Sequence, residues 1–247
     1  MRVSILGVPV DRLTVEQYVE RVAEMIRLGR PGRIITLNPE YLFKAVTGSP
    51  GLVELVNRAD LVTADGEGIV WAGRVADATF PERVTGIDLM LALTRRATTE
   101  GWSVYLLGAA PGVAEEAAEN LRLRYPGLEV AGTCHGYFKA GEEAAVARRV
   151  REAGPQLLFV ALGAPKQEQW IDRHIDGIGP VVAMGVGGSF DVVAGRVTRA
   201  PRWMRRLRIE WLGRLFKEPS RWRRMLVLPR FAWLVLRTYR LERKGSR

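Results

Sequence analysis

The chain has 247 residues, 47% of them hydrophobic, and carries 37 Lys and Arg against 27 Asp and Glu, a net charge of +10. That length suits one large α/β domain with an appendage, and a single cysteine, Cys134, excludes an intramolecular disulfide and fits a reducing compartment. No apolar run approaches the roughly 18 residues of a spanning helix, and the apolar run at the N-terminus is too short for a signal peptide.

The charge is unevenly placed. Residues 196–247 hold 17 Lys and Arg and 3 Asp and Glu, net +14, which leaves 20 against 24, net −4, for residues 1–195. A mildly acidic body with a strongly basic tail implies two regions in different surroundings, the tail facing an anionic partner.

In chain order, residues 2–6 read as a first strand. Residues 15–28 read as a helix, with Val15, Val19, Val22 and Ile26 at helical spacing behind a turn and cap at residues 11–14. Residues 33–38 form a second strand that carries Thr36 and ends on Asn38, and Pro39 suits the first turn of the next helix. Residues 59–62 form a short buried strand running into Thr63-Ala64-Asp65-Gly66-Glu67-Gly68, and a helix starts at Ile69. An Asp at a strand-to-helix junction, flanked by glycine, can approach a ligand without crowding. Taken alone, Asp65 is more ordinarily a cap or turn residue, and for Asn38 cap and ligand contact balance.

Arg83-Val84-Thr85-Gly86-Ile87-Asp88 precedes a helix over residues 89–99. Residues 102–107 form a buried strand ending in Gly108-Ala109-Ala110-Pro111-Gly112-Val113, with a helix over residues 114–125. Such a junction presents backbone N–H groups to a phosphate, but it lacks the glycine spacing of a dinucleotide site. Residues 128–133 form a strand leading to Cys134-His135-Gly136-Tyr137-Phe138, where Tyr137 can stack on a base or pack in the core. The two histidines, His135 and His174, have no partner at metal-ligand spacing, so no metal site is assigned.

After a helix over residues 142–153 and a strand over 156–162 comes Gly163-Ala164-Pro165-Lys166-Gln167-Glu168-Gln169-Trp170. Lys166 and Gln167 there stand at a helix N-terminus, suited to a phosphate or a sugar hydroxyl. The last strand, residues 180–184, runs into Gly185-Val186-Gly187-Gly188-Ser189-Phe190-Asp191. Three glycines in four residues imply positive φ or close backbone approach to a ligand at Gly187 and its neighbours, and Asp191 can accept from a ribose or cap the segment after it. The alternation of strand and helix predicts an α/β fold: a doubly wound, mostly parallel, Rossmann-like sheet over residues 1–195, folding without the rest. Its strand ends gather Gly, Pro, Asn, Asp and Arg, which predicts one ligand cleft along one edge.

Residues 196–247 read as a basic, helical, membrane-associating appendage. Trp203, Leu207, Trp211 and Leu215 follow one another at i+4 spacing among Arg202, Arg205, Arg206 and Arg208, and four of the seven tryptophans lie here. Arg, Trp and Leu on amphipathic helices suit a bilayer interface. Nucleic acid is the rival partner, and the apolar segment around residues 225–236 disfavours it. A basic amphipathic helix packed on the body or on a partner chain is the remaining alternative.

Taken together, Thr36-Leu37-Asn38-Pro39-Glu40, Ala64-Asp65-Gly66-Glu67-Gly68, Arg83-Val84-Thr85-Gly86-Ile87-Asp88, Tyr125-Pro126-Gly127-Leu128 with Gly136-Tyr137-Phe138, Gly163-Ala164-Pro165-Lys166-Gln167-Glu168-Gln169-Trp170, Gly185-Val186-Gly187-Gly188-Ser189-Phe190-Asp191 and Arg199-Ala200-Pro201 followed by Glu210-Trp211 and Arg214-Leu215 resemble the TagA/WecG/CpsF family of bacterial glycosyltransferases, glycosyltransferase family 26. The likeness covers residues 5–225, in order, and departs at Gly213, where the family pattern has an aromatic residue. The resemblance implies an inverting, metal-independent transfer of N-acetylmannosamine from its UDP donor to N-acetylglucosamine on undecaprenyl diphosphate. It implies no cofactor, and a cytoplasmic body held peripherally at the inner face of the cell membrane. Related UDP-sugars in exopolysaccharide or enterobacterial common antigen synthesis are the nearest alternative. A basic nucleic-acid-binding α/β protein and a nucleotide-binding oxidoreductase are the alternatives from other classes. A homo-oligomer is left open.

In that reaction Asp65 is the candidate base for the acceptor hydroxyl, with Thr36, Asn38 and Arg83 beside it as catalytic residues. No Asp-x-Asp is present to hold a metal-bridged diphosphate, so fixed donors must take that charge. Gly108, Tyr137, Lys166, Gln167, Gly187, Asp191, Arg214, Arg221 and Arg224 are the candidate substrate contacts. Arg214, Lys217, Arg221 and Arg224 share a helical face by spacing, with Pro219 between them.

Overall fold

The computed structural model describes residues 2–198, Pro201, Met204 and residues 226–245. Arg214, Arg221, Arg224 and the tail's first amphipathic segment, apart from Met204, lie outside the described residues.

The first two strands correct the sequence expectation. β1 (Arg2–Ile5) and β2 (Val8–Asp11) form an antiparallel hairpin of their own, outside the main sheet. Leu6 and Gly7 make the turn, both at positive φ (51° and 80°). That is the handedness a two-residue hairpin turn requires, and glycine takes it without a steric cost, whereas leucine does not. Asp11 closes the second strand and is buried: its carboxylate accepts from Arg2 Nε at 3.1 Å and from the Val62 N–H at 2.8 Å.

Six strands make the main sheet: β3 (Gly32–Leu37), β4 (Leu61–Ala64), β5 (Ser103–Gly108), β6 (Glu129–Cys134), β7 (Leu157–Ala161) and β8 (Val182–Gly185). Their spatial order is β4-β3-β8-β7-β5-β6, and every neighbouring pair is parallel. β3, β4, β5, β7 and β8 read as near-continuous apolar runs because both faces are covered. The period of two sorts them. Ile34, Leu61, Leu106, Phe159 and Met184 pack on one face with helices α1 (Val15–Arg27), α5 (Gly86–Glu100) and α6 (Val113–Arg124). Ile35 and Val62 pack on the other with α2 (Pro39–Gly48), α3 (Pro50–Asn57) and α4 (Glu67–Val75). On that same face Leu107, Leu158 and Ala183 meet α7 (Glu143–Ala153) and α8 (Lys166–Ile178). The observed architecture is the doubly wound α/β sheet expected from the alternation.

Local chemistry explains where the helices start and stop. Thr14 caps α1 with a reciprocal capping box to Gln17. Asn38 caps α2 by accepting from the Tyr41 N–H at 2.9 Å, with Pro39 in the first turn. Thr85 caps α5, which ends on left-handed Gly101. α3 has no counterpart among the elements expected from the sequence; Pro50 opens it and Leu52, Leu55 and Val56 bury its face.

After the short α9 (Ser189–Val193), the last described element is α10 (Val227–Gly245). It packs on α2 and α4, and its Phe231 and Val235, 2% and 0% exposed, belong to the same core as Leu42, Ile69 and Ile5. The Tyr239 hydroxyl accepts from the Leu6 N–H at 3.0 Å. The basic tail thus contributes Phe231 and Val235 to the core beside α2 and α4.

Candidate active site

Sheet topology locates the site. From β3 the chain moves outward to β4, and from β5 it moves outward to β6, while β7 and β8 lie between. α2, after β3, and α9, after β8, belong to cores on opposite faces; so do α8, after β7, and α6, after β5. The crevices where connections diverge in this way, outside the carboxyl ends of the strands, receive ligands in open α/β sheets.

Asp65 follows β4 at that edge. Its backbone N–H donates to the Leu37 carbonyl at 2.9 Å, and its Oδ2 accepts from the Gly86 N–H, the first residue of α5, at 3.2 Å. Gly66, at φ +95°, precedes α4 and makes no side-chain cap, so Asp65 is not the cap of that helix. A methyl group on Gly86 would stand 3.4 Å from Thr36 Cγ2, 3.6 Å from Thr36 Oγ1 and 3.8 Å from Asp65 Oδ2. Thr36, Asp65 and Gly86, drawn from three segments, thus meet within van der Waals reach of one point. The Thr36 hydroxyl donates to the Gly185 carbonyl at 3.1 Å, which ties β3 to the end of β8.

The other predicted residues line the same edge. Asn38 spends its side-chain oxygen on the α2 cap. Arg83 lies 3.6 Å from Glu67 across the Asp65 turn. Lys166 is the exposed first residue of α8, and Tyr137 is 75% exposed just past β6. Asp191 is half-buried in α9 and accepts at its backbone carbonyl from the Val197 N–H. Gly108, at φ +129°, is where two strands meet closely: a Cβ there would stand 2.5 Å from the Ala161 carbonyl carbon and oxygen. Gly108→Ala is expected to separate the ends of β5 and β7 and lower the melting temperature by several degrees, in line with about 1–3 kcal/mol for overpacking; an unchanged thermal melt contradicts this.

Gln167 and Glu168 form the buried back of the site, 2% and 3% exposed. Gln167 Oε1 accepts from the Gly187 N–H at 3.1 Å, and its Nε2 donates to Glu168 Oε1 at 2.8 Å. Burial pushes the Glu168 carboxyl up to about 7, against a smaller lowering by the Gln167 hydrogen bond and its own backbone N–H. The Tyr41 phenol is pushed up too, first by burial and then by the Glu168 charge. Glu168 and Gly86 carry geometry that is not assigned to them from the sequence; two adjacent polar residues at a helix start are the signal that points to Glu168.

The raised carboxyl has a sign for stability. Folded Glu168 keeps its proton to about pH 7, whereas the unfolded chain releases it near pH 4.3. Its contribution is therefore complete below about pH 4 and lost as pH rises through 7. At about 1.4 kcal/mol for each pH unit between those two values, the loss is on the order of 4 kcal/mol. Glu168→Gln should flatten the dependence of unfolding free energy on pH between 5 and 8; an identical slope in both proteins would show that Glu168 does not titrate in this window.

A six-stranded parallel α/β sheet that gathers Thr36, Asp65, Gln167 and Gly187 at its carboxyl edge defines a doubly wound α/β protein, a class in which ligands bind at that edge. The chain belongs to the Glycosyl transferase WecG/TagA/CpsF family, whose model matches residues 3–245. It is 36% identical over 247 residues to a Staphylococcus aureus (strain MW2) protein, covering 99% of this chain and 96% of that one. It is 37% identical over 211 residues to a Bacillus spizizenii protein, covering 85% and 81%, and 35% identical over 204 residues to one from Bacillus subtilis (strain 168), covering 83% and 78%. All three are named N-acetylglucosaminyldiphosphoundecaprenol N-acetyl-beta-D-mannosaminyltransferase.

Proposed function

We propose that this chain transfers N-acetylmannosamine from UDP-N-acetylmannosamine to N-acetylglucosaminyl-diphospho-undecaprenol, with inversion and without a metal. The observation that carries the reading is near-full-length likeness to a protein of that name, joined to a carboxylate, a hydroxyl and a helix N-terminus at one point of the sheet edge. Asp65 takes the proton of the acceptor hydroxyl as that oxygen attacks the anomeric carbon and the bond to UDP breaks. Thr36 and Asn38 orient sugar hydroxyls. Arg83, Lys166, the Gly187 turn and the arginines Arg214, Arg221 and Arg224 carry the charge of the departing diphosphate, and Tyr137 and Asp191 hold the nucleoside. The experiment is direct: the protein should form the lipid-linked disaccharide from the two substrates. No product with this donor, and product with another UDP-sugar, would redirect the reading.

Among the described residues no three His, Cys, Asp or Glu side chains come together as a metal set. With fixed donors in place of a metal, transfer should proceed at its full rate in excess chelator. Activity abolished by EDTA and restored by magnesium or manganese overturns the metal-free mechanism.

The body meets the membrane through its basic tail, in this reading at the inner face. No described helix is long and apolar enough to cross a membrane. α10 instead presents exposed Trp233 (60%), with the Arg237 guanidinium 5.1 Å from its ring centroid, and half-exposed Leu226 lies just before it. A groove of about 390 Å³ between α2 and α10 is lined by Phe43, Thr47, Pro229, Arg230, Trp233 and Leu234. A helix that carries aromatic, aliphatic and cationic groups fits the interface of an anionic bilayer. Trp233→Ala with Leu226→Ser should weaken binding to anionic vesicles about tenfold or more, the scale of one or two apolar side chains withdrawn from water, and leave the melting temperature nearly unchanged. Unaltered vesicle binding places the contact elsewhere.

A further inference from the structure

We propose that Glu168 is a positioning residue of this site: it fixes the amide of Gln167, and through that amide the glycine turn after β8. The inference rests on the proposed function for its effect on turnover, and on geometry alone for its effect on the turn.

The hydrogen bonds here have one possible direction. The Gly187 N–H can only donate, so the Gln167 amide must present Oε1 to it, which it does at 3.1 Å. The other end of the amide is then an –NH2 group inside the protein, and it needs an acceptor. Glu168 Oε1 is that acceptor, 2.8 Å away. An apolar side chain at 168 leaves the –NH2 buried without a partner. The amide then gains by turning over, which sets donor against donor at Gly187 and frees a turn held at φ +52°.

Packing leaves the pair little slack. A Cβ on Gly185 would stand 2.5 Å from Gln167 Nε2 and 3.0 Å from Glu168 Oε1. Amide and carboxyl thus lie flush against the end of β8. The Gly185 carbonyl at that point accepts from the Thr36 hydroxyl at 3.1 Å, and Thr36 shares its space with Asp65 and Gly86. Glu168 is therefore linked through Gln167 and the end of β8 to the residues at the reacting centre, which it does not itself touch. Its position is costly: the carboxyl is 3% exposed, Oε2 has no hydrogen-bond partner, and the buried Tyr41 hydroxyl also lacks one. A buried carboxyl with one side unsatisfied is poor for stability. It is retained here where an acceptor at one fixed point orients an amide.

The test is a double-mutant cycle on the full-length chain with two readouts, transfer kinetics and hydrogen exchange at the Gly187 amide. Glu168→Met should lower kcat by about ten- to a hundredfold, as a small misplacement near the chemistry does. Glu168→Gln, which keeps an acceptor oxygen, should recover to within about threefold of the parent, since it preserves the hydrogen bond. Adding Glu168→Met to Gln167→Ala should cost no more than Gln167→Ala alone, because the two act as one unit. Gly187 exchange should rise in Glu168→Met to the level of Gln167→Ala. The proposal is overturned if the kinetic losses multiply, if Glu168→Gln is as impaired as Glu168→Met while both remain folded by thermal melt, or if Gly187 exchange is unchanged in Glu168→Met. A parent protein that transfers no sugar at all counts against the proposed function, and Gly187 exchange by itself then decides the role of Glu168.

Discussion

Asp65→Asn is expected to lower turnover by roughly 10²–10⁴, the range for loss of a general base, with UDP affinity nearly unchanged. The amide keeps the shape of the carboxylate and can still accept from the Gly86 N–H, which lies 3.2 Å from Oδ2, so the turn and the start of α5 stay in place. What it cannot do is take a proton from the acceptor hydroxyl. The loss should appear in kcat and in kcat/KM together, as for an interaction made only in the transition state. Thr36→Val does not separate chemistry from scaffold at the same point. It removes the hydroxyl that holds the Gly185 carbonyl, so it disturbs the turn as well. Near-normal turnover by Asp65→Asn would leave Asp65 as a purely structural residue of the turn.

Phe231→Ala is expected to be the most destabilising single change outside the sheet, by about 3–5 kcal/mol, the cost of emptying a buried aromatic site. In a chain of this size that corresponds to a fall in Tm of roughly 10 °C. The residue is 2% exposed, and its ring edge lies 3.7 Å from where a Cβ on Gly68 would stand, beside Pro39. It therefore backs the junctions that carry Asp65 and Asn38, and turnover should fall along with stability. Cutting the chain after Gly195 removes Phe231, Val235 and Tyr239 together. The body should then bind apolar dyes and aggregate, in contrast to the independently folding body expected from its holding every predicted strand. A truncated protein with an unchanged melting temperature would show that α10 is dispensable to the core.

The contrast between Phe231 and Trp233 shows where sequence reading stops. Both are aromatic residues of one amphipathic helix in a basic tail, and their spacing says that they face different ways. Spacing does not say which face meets protein and which meets solvent or lipid. That depends on the apolar surface that α2 and α4 leave open. The hairpin is a second instance. An apolar run at residues 2–6 predicts a strand, but its pairing with Val8–Asp11 turns on Leu6 accepting a left-handed backbone that its type disfavours.

The sequence by itself determined the strand-and-helix alternation, the cap at residues 11–14 and the cap reading of Asn38, the glycine-bearing strand ends and the basic tail, because each rests on side-chain chemistry within a few residues along the chain. Asp65 was legible as a junction residue for the same reason. The strand order, and with it the meeting of Thr36, Asp65 and Gly86, was decided only in the tertiary structure, since the crossovers that bring segments about 20 to 50 residues apart together are selected by burial of both sheet faces. The orientation of the Gln167 amide belongs there too: Gly187 lies 20 residues away, and a donor can choose its acceptor only after the fold has brought the two together.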